Sequence, residues 1–195
     1  MSQMDLFGSA IPGVTPELPP GFRYRPELID AAHEAALLDQ LRALPFAPFE
    51  FHGYTGKRRT VAFGWNYDFS SEQLQLGSEM PGFLRELRVP VAAFAGVSPE
   101  ALPHVLVTEY EAGAAIGWHR DKGVFEIIVG VSLLAPCTFR LRRARASGWD
   151  RVNVTAEPRS AYILAGESRT VWEHSIPPVD ALRYSVTYRS LKTRR

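Results

Sequence analysis

The sequence predicts a mainly β domain with flanking helices, an α+β chain in which a helix-rich amino-terminal half buttresses a strand-rich carboxy-terminal half. Three observations carry this. Before residue 100, Leu28, Ile29, Ala32, Ala36, Leu37, Leu41 and Leu44 recur near helical spacing. Beyond residue 103 the texture changes to short strand-like runs separated by Gly and Pro turns. At 195 residues the chain is long enough for one domain with a sizeable core.

Taken in order, residues 1–21 hold Pro12, Pro16, Pro19 and Pro20 with little apolar periodicity, and are expected as an extended arm on a single domain spanning 22–195. A helix is expected over 26–44. Residues 46–51 are aromatic and interrupted by Pro48, and 52–59 form a Gly-rich basic turn. A strand over 60–69 follows, then a second helix over 81–95, kinked or ended near Pro90. Strands are expected over 104–110, 127–134, 138–142, 160–164 and 184–191, an arrangement that fits a sandwich or barrel. No internal repeat is found.

Composition excludes several classes. Lys+Arg is 22 against Asp+Glu 21, so any basic surface must be local. The single Cys137 excludes an internal disulfide and lies in an apolar run, as a buried inert thiol would. No apolar run approaches the roughly 20 residues of a membrane span. Asp5 comes early and no basic residue precedes Arg23, which fits neither a signal nor a transit peptide. The expectation is a soluble, cytoplasmic monomer with no obligate protein partner.

The informative residues are His119-Arg120-Asp121, then His174, then the run from Arg183 to Arg189. A His and a carboxylate two residues apart share one face of an extended strand. A second His supplied by the fold would complete a face of two imidazoles and one carboxylate, which leaves half of an Fe(II) coordination sphere open. His33, His52, His104 and His174 are the other histidines; His174 is favoured because it follows one strand and precedes the next by a short Pro-Pro loop. In the closing run, Arg183, Ser185, Thr187 and Arg189 share one face and Tyr184, Val186 and Tyr188 the other. Two arginines on one face suit a small dicarboxylate anchored beside a metal.

His-x-Asp, then Gly-Glu-Ser-Arg before a distal His, then Arg-x-x-x-Thr-x-Arg resembles the AlkB family of Fe(II)- and 2-oxoglutarate-dependent dioxygenases. The resemblance runs from about His104 to Arg189. It implies a double-stranded β-helix (jelly-roll) core over about 100–192, with an amino-terminal extension and a lid at about 46–70. It implies His119, Asp121 and His174 as iron ligands, and Fe(II), 2-oxoglutarate and O2 as cofactor and cosubstrates. Arg183 would clamp the distal carboxylate of 2-oxoglutarate, Arg189 would lie toward its iron-chelating end, and Tyr110 would donate a hydrogen bond to it. The family often carries Asn where this chain has Thr108 and Ser185; both keep a hydrogen-bonding group on a shorter reach.

The implied substrate is an alkylated base of DNA or RNA, from which oxidation of an N-methyl group releases formaldehyde. Such a base must be flipped out or single-stranded, then held between rings. Trp65 and Tyr67, with Phe63, alternate on the lid strand, and fit either that sandwich or a core. Lys57, Arg58 and Arg59 precede the strand, and Arg140, Arg142, Arg143 and Arg145 crowd a strand end; two basic clusters flanking one pocket fit phosphate contacts. The alternative is the same cofactor chemistry on a protein side chain or small molecule.

Overall fold

The computed structural model describes residues 17–51, 54–68 and 73–192, without the side chains of 49–51, 54–56, 66–68 and 73–76. The expected arm therefore lies outside the described residues except for 17–21. Strand β1 is Phe22–Arg25. Helix α1 is Ala31–Arg42, shorter than expected because Asp30 caps it, accepting from the His33 amide at 2.8 Å. Strands β2 Ala47–Phe51, β3 Tyr54–Asp68 and β4 Gln73–Leu76 follow. Helix α2, Gly82–Ala95, runs through Pro90 rather than ending there. An interior proline costs about 3 kcal/mol. The completely buried stripe Leu84, Leu87, Val91 and Ala92 offsets that cost.

After a 3-10 turn at Pro99–Ala101 the chain is almost wholly strand. Its strands are β5 His104–Tyr110, β6 Ile116–His119, β7 Phe125–Leu133 and β8 Cys137–Ala144. Then come β9 Trp149–Ala156, β10 Ala161–Leu164, β11 Glu173–Ile176 and β12 Arg183–Leu191. A short helix α3, Gly166–Thr170, joins β10 to β11.

Among the described residues the strands form two sheets. The larger has order β1-β10-β7-β12-β5-β3-β2 with β4 paired to β3; the smaller has order β6-β11-β8-β9. The residues expected in a basic turn at 52–59 are instead strand from Tyr54 onward. There, Arg58 to Gly64 pair in register with Tyr110 to His104, so tertiary pairing overrides the turn chemistry.

Alternation along the larger sheet sorts side chains between two cores. Val105, Val107, Val129, Val131, Tyr184, Val186 and Tyr188 face α1 and α2 in the first core. The opposite face looks toward the smaller sheet, where Ile128, Phe139, Leu141, Tyr162 and Trp172 form the second. On β12 the odd-numbered residues take this inner face, as the period-2 reading requires. The space between the sheets is therefore lined by arginines and hydroxyls as well as apolar groups. No helix of the described residues is long and apolar enough to cross a membrane.

Candidate metal centre and cosubstrate pocket

His119 ends β6, Asp121 follows in the next turn, and His174 sits on β11, paired in register with His119. Antiparallel pairing brings together ligands that lie far apart in the chain. The ligand atoms of the three residues lie within 4.8 Å of one another. His174 Nε2 stands 3.4 Å from Asp121 Oδ2, and the two imidazole centroids are 4.2 Å apart. His119 Nδ1 lies 2.8 Å from the Gly117 carbonyl. A carbonyl only accepts, so Nδ1 carries the proton and the Nε2 lone pair is left for a metal.

Charge favours the same state. Burial alone would raise the Asp121 pKa, but Arg189, then His174 and His119, hold its carboxyl down at about 2. Burial, with His119 beside it, drives His174 down to about 3. An ionised carboxylate and a neutral imidazole are the forms a divalent cation requires, so Asp121 and His174 need lose no proton before it binds. The donor set fits Fe(II): nitrogen and oxygen ligands on one face, with the opposite face open.

Arg189 donates from Nε and Nη2 to Asp121 Oδ1 at 3.2 and 2.9 Å, which fixes the carboxylate and leaves Oδ2 turned toward His174. Its Nη1 lies 3.5 Å from His104 Nδ1, and His104 stands outside the three-residue cluster. Arg183, only 1% exposed, sits at the other end of the β12 face. Its Nη2 donates to Ser132 Oγ at 2.9 Å, while Nε and Nη1 are buried without a hydrogen-bond partner among the described residues. A buried guanidinium with two idle donors is costly unless an anion joins it. A carboxylate of 2-oxoglutarate would supply the missing counter-charge and an acceptor. The Arg183 guanidinium lies 4.8 Å from the Tyr110 ring centroid. Thr108 and Ser185 pair in register on the same inner face, between the two arginines.

Residues 21–195 match the 2OG-Fe(II) oxygenase superfamily. The chain belongs to that superfamily. Its cofactor is Fe(II), with 2-oxoglutarate and O2 as cosubstrates. The AlkB resemblance is supported by an Arabidopsis thaliana protein named alkylated DNA repair protein ALKBH8 homolog, 27% identical over 88% of this chain and 55% of its own length. Mouse tRNA (carboxymethyluridine(34)-5-O)-methyltransferase ALKBH8 is 26% identical over 83% of this chain and 25% of its own. The chain thus spans about half of the first relative and a quarter of the second. Among solved structures, OsALKBH1 superposes with a TM-score of 0.69 at 16% identity, covering 89% of this chain and 98% of that one. A Trichoplax adhaerens prolyl hydroxylase bound to a peptide of hypoxia inducible factor gives 0.62 at 12% identity, covering 88% and 83%. At such identities these likenesses show the fold, which is the expected jelly roll.

The oxygenase brings the expected ligands and β12 arginines together, but it disperses the expected substrate contacts. Arg59 points to the helix side of β3 and pairs with Glu109 at 2.6 Å, while Tyr184 donates to the same carboxylate at 2.9 Å. Arg143 pairs with Asp150 at 2.9 Å and lies 5.0 Å from the Trp172 ring, and Arg145 pairs with Asp150 as well. These three guanidiniums are ion-paired within the fold. Arg142 is likewise paired with Glu173 and lies near the rings of Trp118 and Trp149, and Arg140 donates to Ser175 Oγ. Arg58 takes the inner face, opposite Tyr110 in register and within hydrogen-bonding reach of its hydroxyl. It belongs to the cosubstrate end rather than to a turn.

The aromatic alternation also breaks. Phe63 is core, whereas Trp65, two residues on, is 39% exposed. Between them Gly64 has φ of +79°, and a Cβ there would stand 1.9 Å from the Pro103 carbonyl oxygen. At this point β3 leaves β5 and pairs with β4. The Tyr67 side chain lies outside the described residues. Lys57 is exposed, with its ammonium near Gly113.

One contributor, Ser132, escaped the sequence reading, and Arg169 takes the structural place near the site that its turn suggested. Ser132 gave no motif. Arg169 donates to the carbonyls of Lys122 and Phe125, pinning the turn that follows Asp121.

Proposed function

We propose that the chain is an AlkB-type oxygenase that removes N-alkyl groups from nucleobases of DNA or RNA, with release of formaldehyde, succinate and CO2. The observation that carries this reading is the joint placement of three ligand side chains and the idle Arg183 fork on facing sheets. His119, Asp121 and His174 would hold Fe(II), which when bound with 2-oxoglutarate and O2 supplies the oxidising power for a C–H bond. Arg189 keeps Asp121 ionised and oriented, so that Oδ2 is presented to the metal. Arg183 would pair with the distal carboxylate of 2-oxoglutarate through its unpartnered guanidinium donors, and Tyr110, Thr108 and Ser185 would line its length. The apolar wall of Phe125, Ile128 and Phe139 would keep water from the reacting groups. Hydroxylation of an N-methyl group gives a hemiaminal, which collapses to formaldehyde and the free base.

The base specificity rests on two supports. The Arabidopsis relative is named for repair of alkylated DNA, and Trp65 offers an exposed ring on the β3–β4 ribbon. Lys57 would contribute to phosphate contacts. One observation favours the second reading, a protein or small-molecule substrate: Arg59, Arg143 and Arg145 are all ion-paired within the fold. The deciding experiment measures formaldehyde and succinate with Fe(II), ascorbate and 2-oxoglutarate, on single-stranded DNA and RNA carrying 1-methyladenine or 3-methylcytosine. Formaldehyde stoichiometric with the methyl groups supports base dealkylation. Succinate in the absence of formaldehyde on every oligonucleotide would sink it and leave the second reading.

A further inference from the structure

Tyr162 is the one residue of β10 whose aromatic body and polar tip both bear on the space between the sheets. It is 9% exposed, on a strand that otherwise reads as plain core: Ala161, Ile163 and Leu164. Its ring lies tilted against Phe139 with centroids 4.4 Å apart, and the Phe139 ring lies 5.4 Å from that of His174. The tip crosses the neighbouring strand at Gly130, its partner in register. A Cβ on Gly130 would stand 2.3 Å from Tyr162 Cζ and 2.5 Å from its hydroxyl oxygen, so only glycine admits the ring there.

This crossing fixes where the hydroxyl sits. Gly130 and Ser132 are two apart on one face of β7, about 6.7 Å along the strand. Ser132 is the residue that accepts from Arg183 Nη2. A hydroxyl above Gly130 and a guanidinium above Ser132 thus flank one volume, floored by Ser132, Ser185 and Thr187. Thr187 lies beside Gly130 and Ser185 beside Ser132 in the register of β12 with β7. The groups that bear electrostatically on Tyr162 are Tyr110, Arg183, Cys137 and Asp121, and among the described residues none hydrogen-bonds its hydroxyl. Burial keeps that hydroxyl protonated, with its proton free to donate. A buried tyrosine hydroxyl ordinarily finds a partner. Here the hydroxyl is open to a partner that enters the pocket.

We propose that Tyr162 is a cosubstrate-binding residue, its hydroxyl donating to the distal carboxylate of 2-oxoglutarate alongside the Arg183 fork, with Gly130 giving the ring its seat. The proposal rests on the reading of Arg183 as the cosubstrate clamp. No part of it follows from the three motifs in the sequence, because Tyr162 lies in none of them.

The test is titration calorimetry of 2-oxoglutarate into the Mn(II)-loaded protein, comparing wild type, Tyr162→Phe and Arg183→Ala, with thermal unfolding of each. Tyr162→Phe removes one oxygen and should weaken binding about tenfold, the loss of one hydrogen bond to a charged group. Its unfolding temperature should stay at the wild-type value. In turnover the KM for 2-oxoglutarate should rise by the same factor with kcat retained. Wild-type affinity in Tyr162→Phe with binding abolished in Arg183→Ala would overturn the role of Tyr162 and keep the clamp. Wild-type affinity in both variants would remove the clamp itself. A Tyr162→Phe protein that melts early yet binds normally would mark the hydroxyl as structural, and would also overturn the proposal.

Discussion

At the scale of single residues, Asp121 does two things at once. One carboxylate oxygen faces His174 and the other is fastened by Arg189, with a side chain only 10% exposed. Asp121→Ala should therefore abolish iron-dependent succinate formation and also leave Arg189 as a buried charge without its partner. The metal-free variant should lose about 3–5 kcal/mol on urea unfolding. Wild-type turnover in Asp121→Ala would rule out the ligand assignment. An unchanged urea midpoint would show that the ion pair contributes nothing to the fold. Arg183 makes a different prediction, because its fork is idle in the protein alone. Arg183→Lys keeps the charge but replaces two parallel donors by one ammonium. The 2-oxoglutarate concentration needed for half-maximal rate should rise by about tenfold or more, while stability changes little. An unmoved requirement would place the clamp elsewhere. That these arginines share a face was legible from period 2 alone. That one would serve the ligand and the other the pocket was not, since the difference lies in what β6 and β7 bring opposite them.

At the scale of elements, legibility follows length and apolar character. Strand β5 has the expected bounds and β12 is off by one residue, because both carry long runs with strict alternation. Strands β1, β6 and β11 are four residues each and mix charged with apolar groups. They are strands because β10, β11 and β8 offer partners to β1, β6 and β11 in turn, information that no local window contains. The ion pairs of the basic cluster were hidden for a related reason: Asp150, which pairs with Arg143 and Arg145, sits across a hairpin whose second strand, β9, was not anticipated. This yields a comparison. In binding single-stranded oligonucleotides, Lys57→Ala should shallow the dependence of log affinity on log salt by about one counterion, whereas Arg145→Ala should leave the slope nearly unchanged. Equal effects would mean that Arg145 leaves Asp150 to meet phosphate. Gly64 is the hinge between the sheet and the β3–β4 ribbon that carries Trp65. Gly64→Ala meets both a positive φ and the Pro103 carbonyl, and should destabilise by roughly 1–3 kcal/mol. Oligonucleotide affinity should fall more than 2-oxoglutarate affinity, and equal losses would show that the ribbon has no separate part in substrate binding.

At the scale of the whole molecule, the site is held in its metal-ready state by the fold, and acid is what that state resists worst. His104 and His174 are both driven down to about 3, against an ordinary 6.5, chiefly by burial, with Arg189 adding to the shift of His104 and His119 to that of His174. Asp121 is held at about 2 against 3.8. The unfolded chain takes up protons on both histidines as pH falls through 6.5, whereas the folded metal-free protein refuses them until about 3. Stability is therefore greatest above pH 6.5 and falls between 6.5 and 3, by up to about 1.4 kcal/mol per pH unit for each imidazole. The Asp121 contribution has the same sign: present above its ordinary value, it is lost as pH falls toward 2. Urea midpoints of the metal-free protein should drop steadily from pH 7 to pH 5, and removing one imidazole in His104→Asn should flatten that drop relative to wild type. Metal should act on the folded form alone, raising the midpoint by an amount set by its concentration over its dissociation constant. Because Asp121 and His174 carry no removable proton at pH 7, those two ligands should add no buffer-dependent heat to Mn(II) calorimetry in buffers of different ionisation enthalpy. A buffer-dependent heat would mean that protons leave the site on binding, and a flat urea profile from pH 7 to 5 would mean that the histidines are not held neutral by the fold.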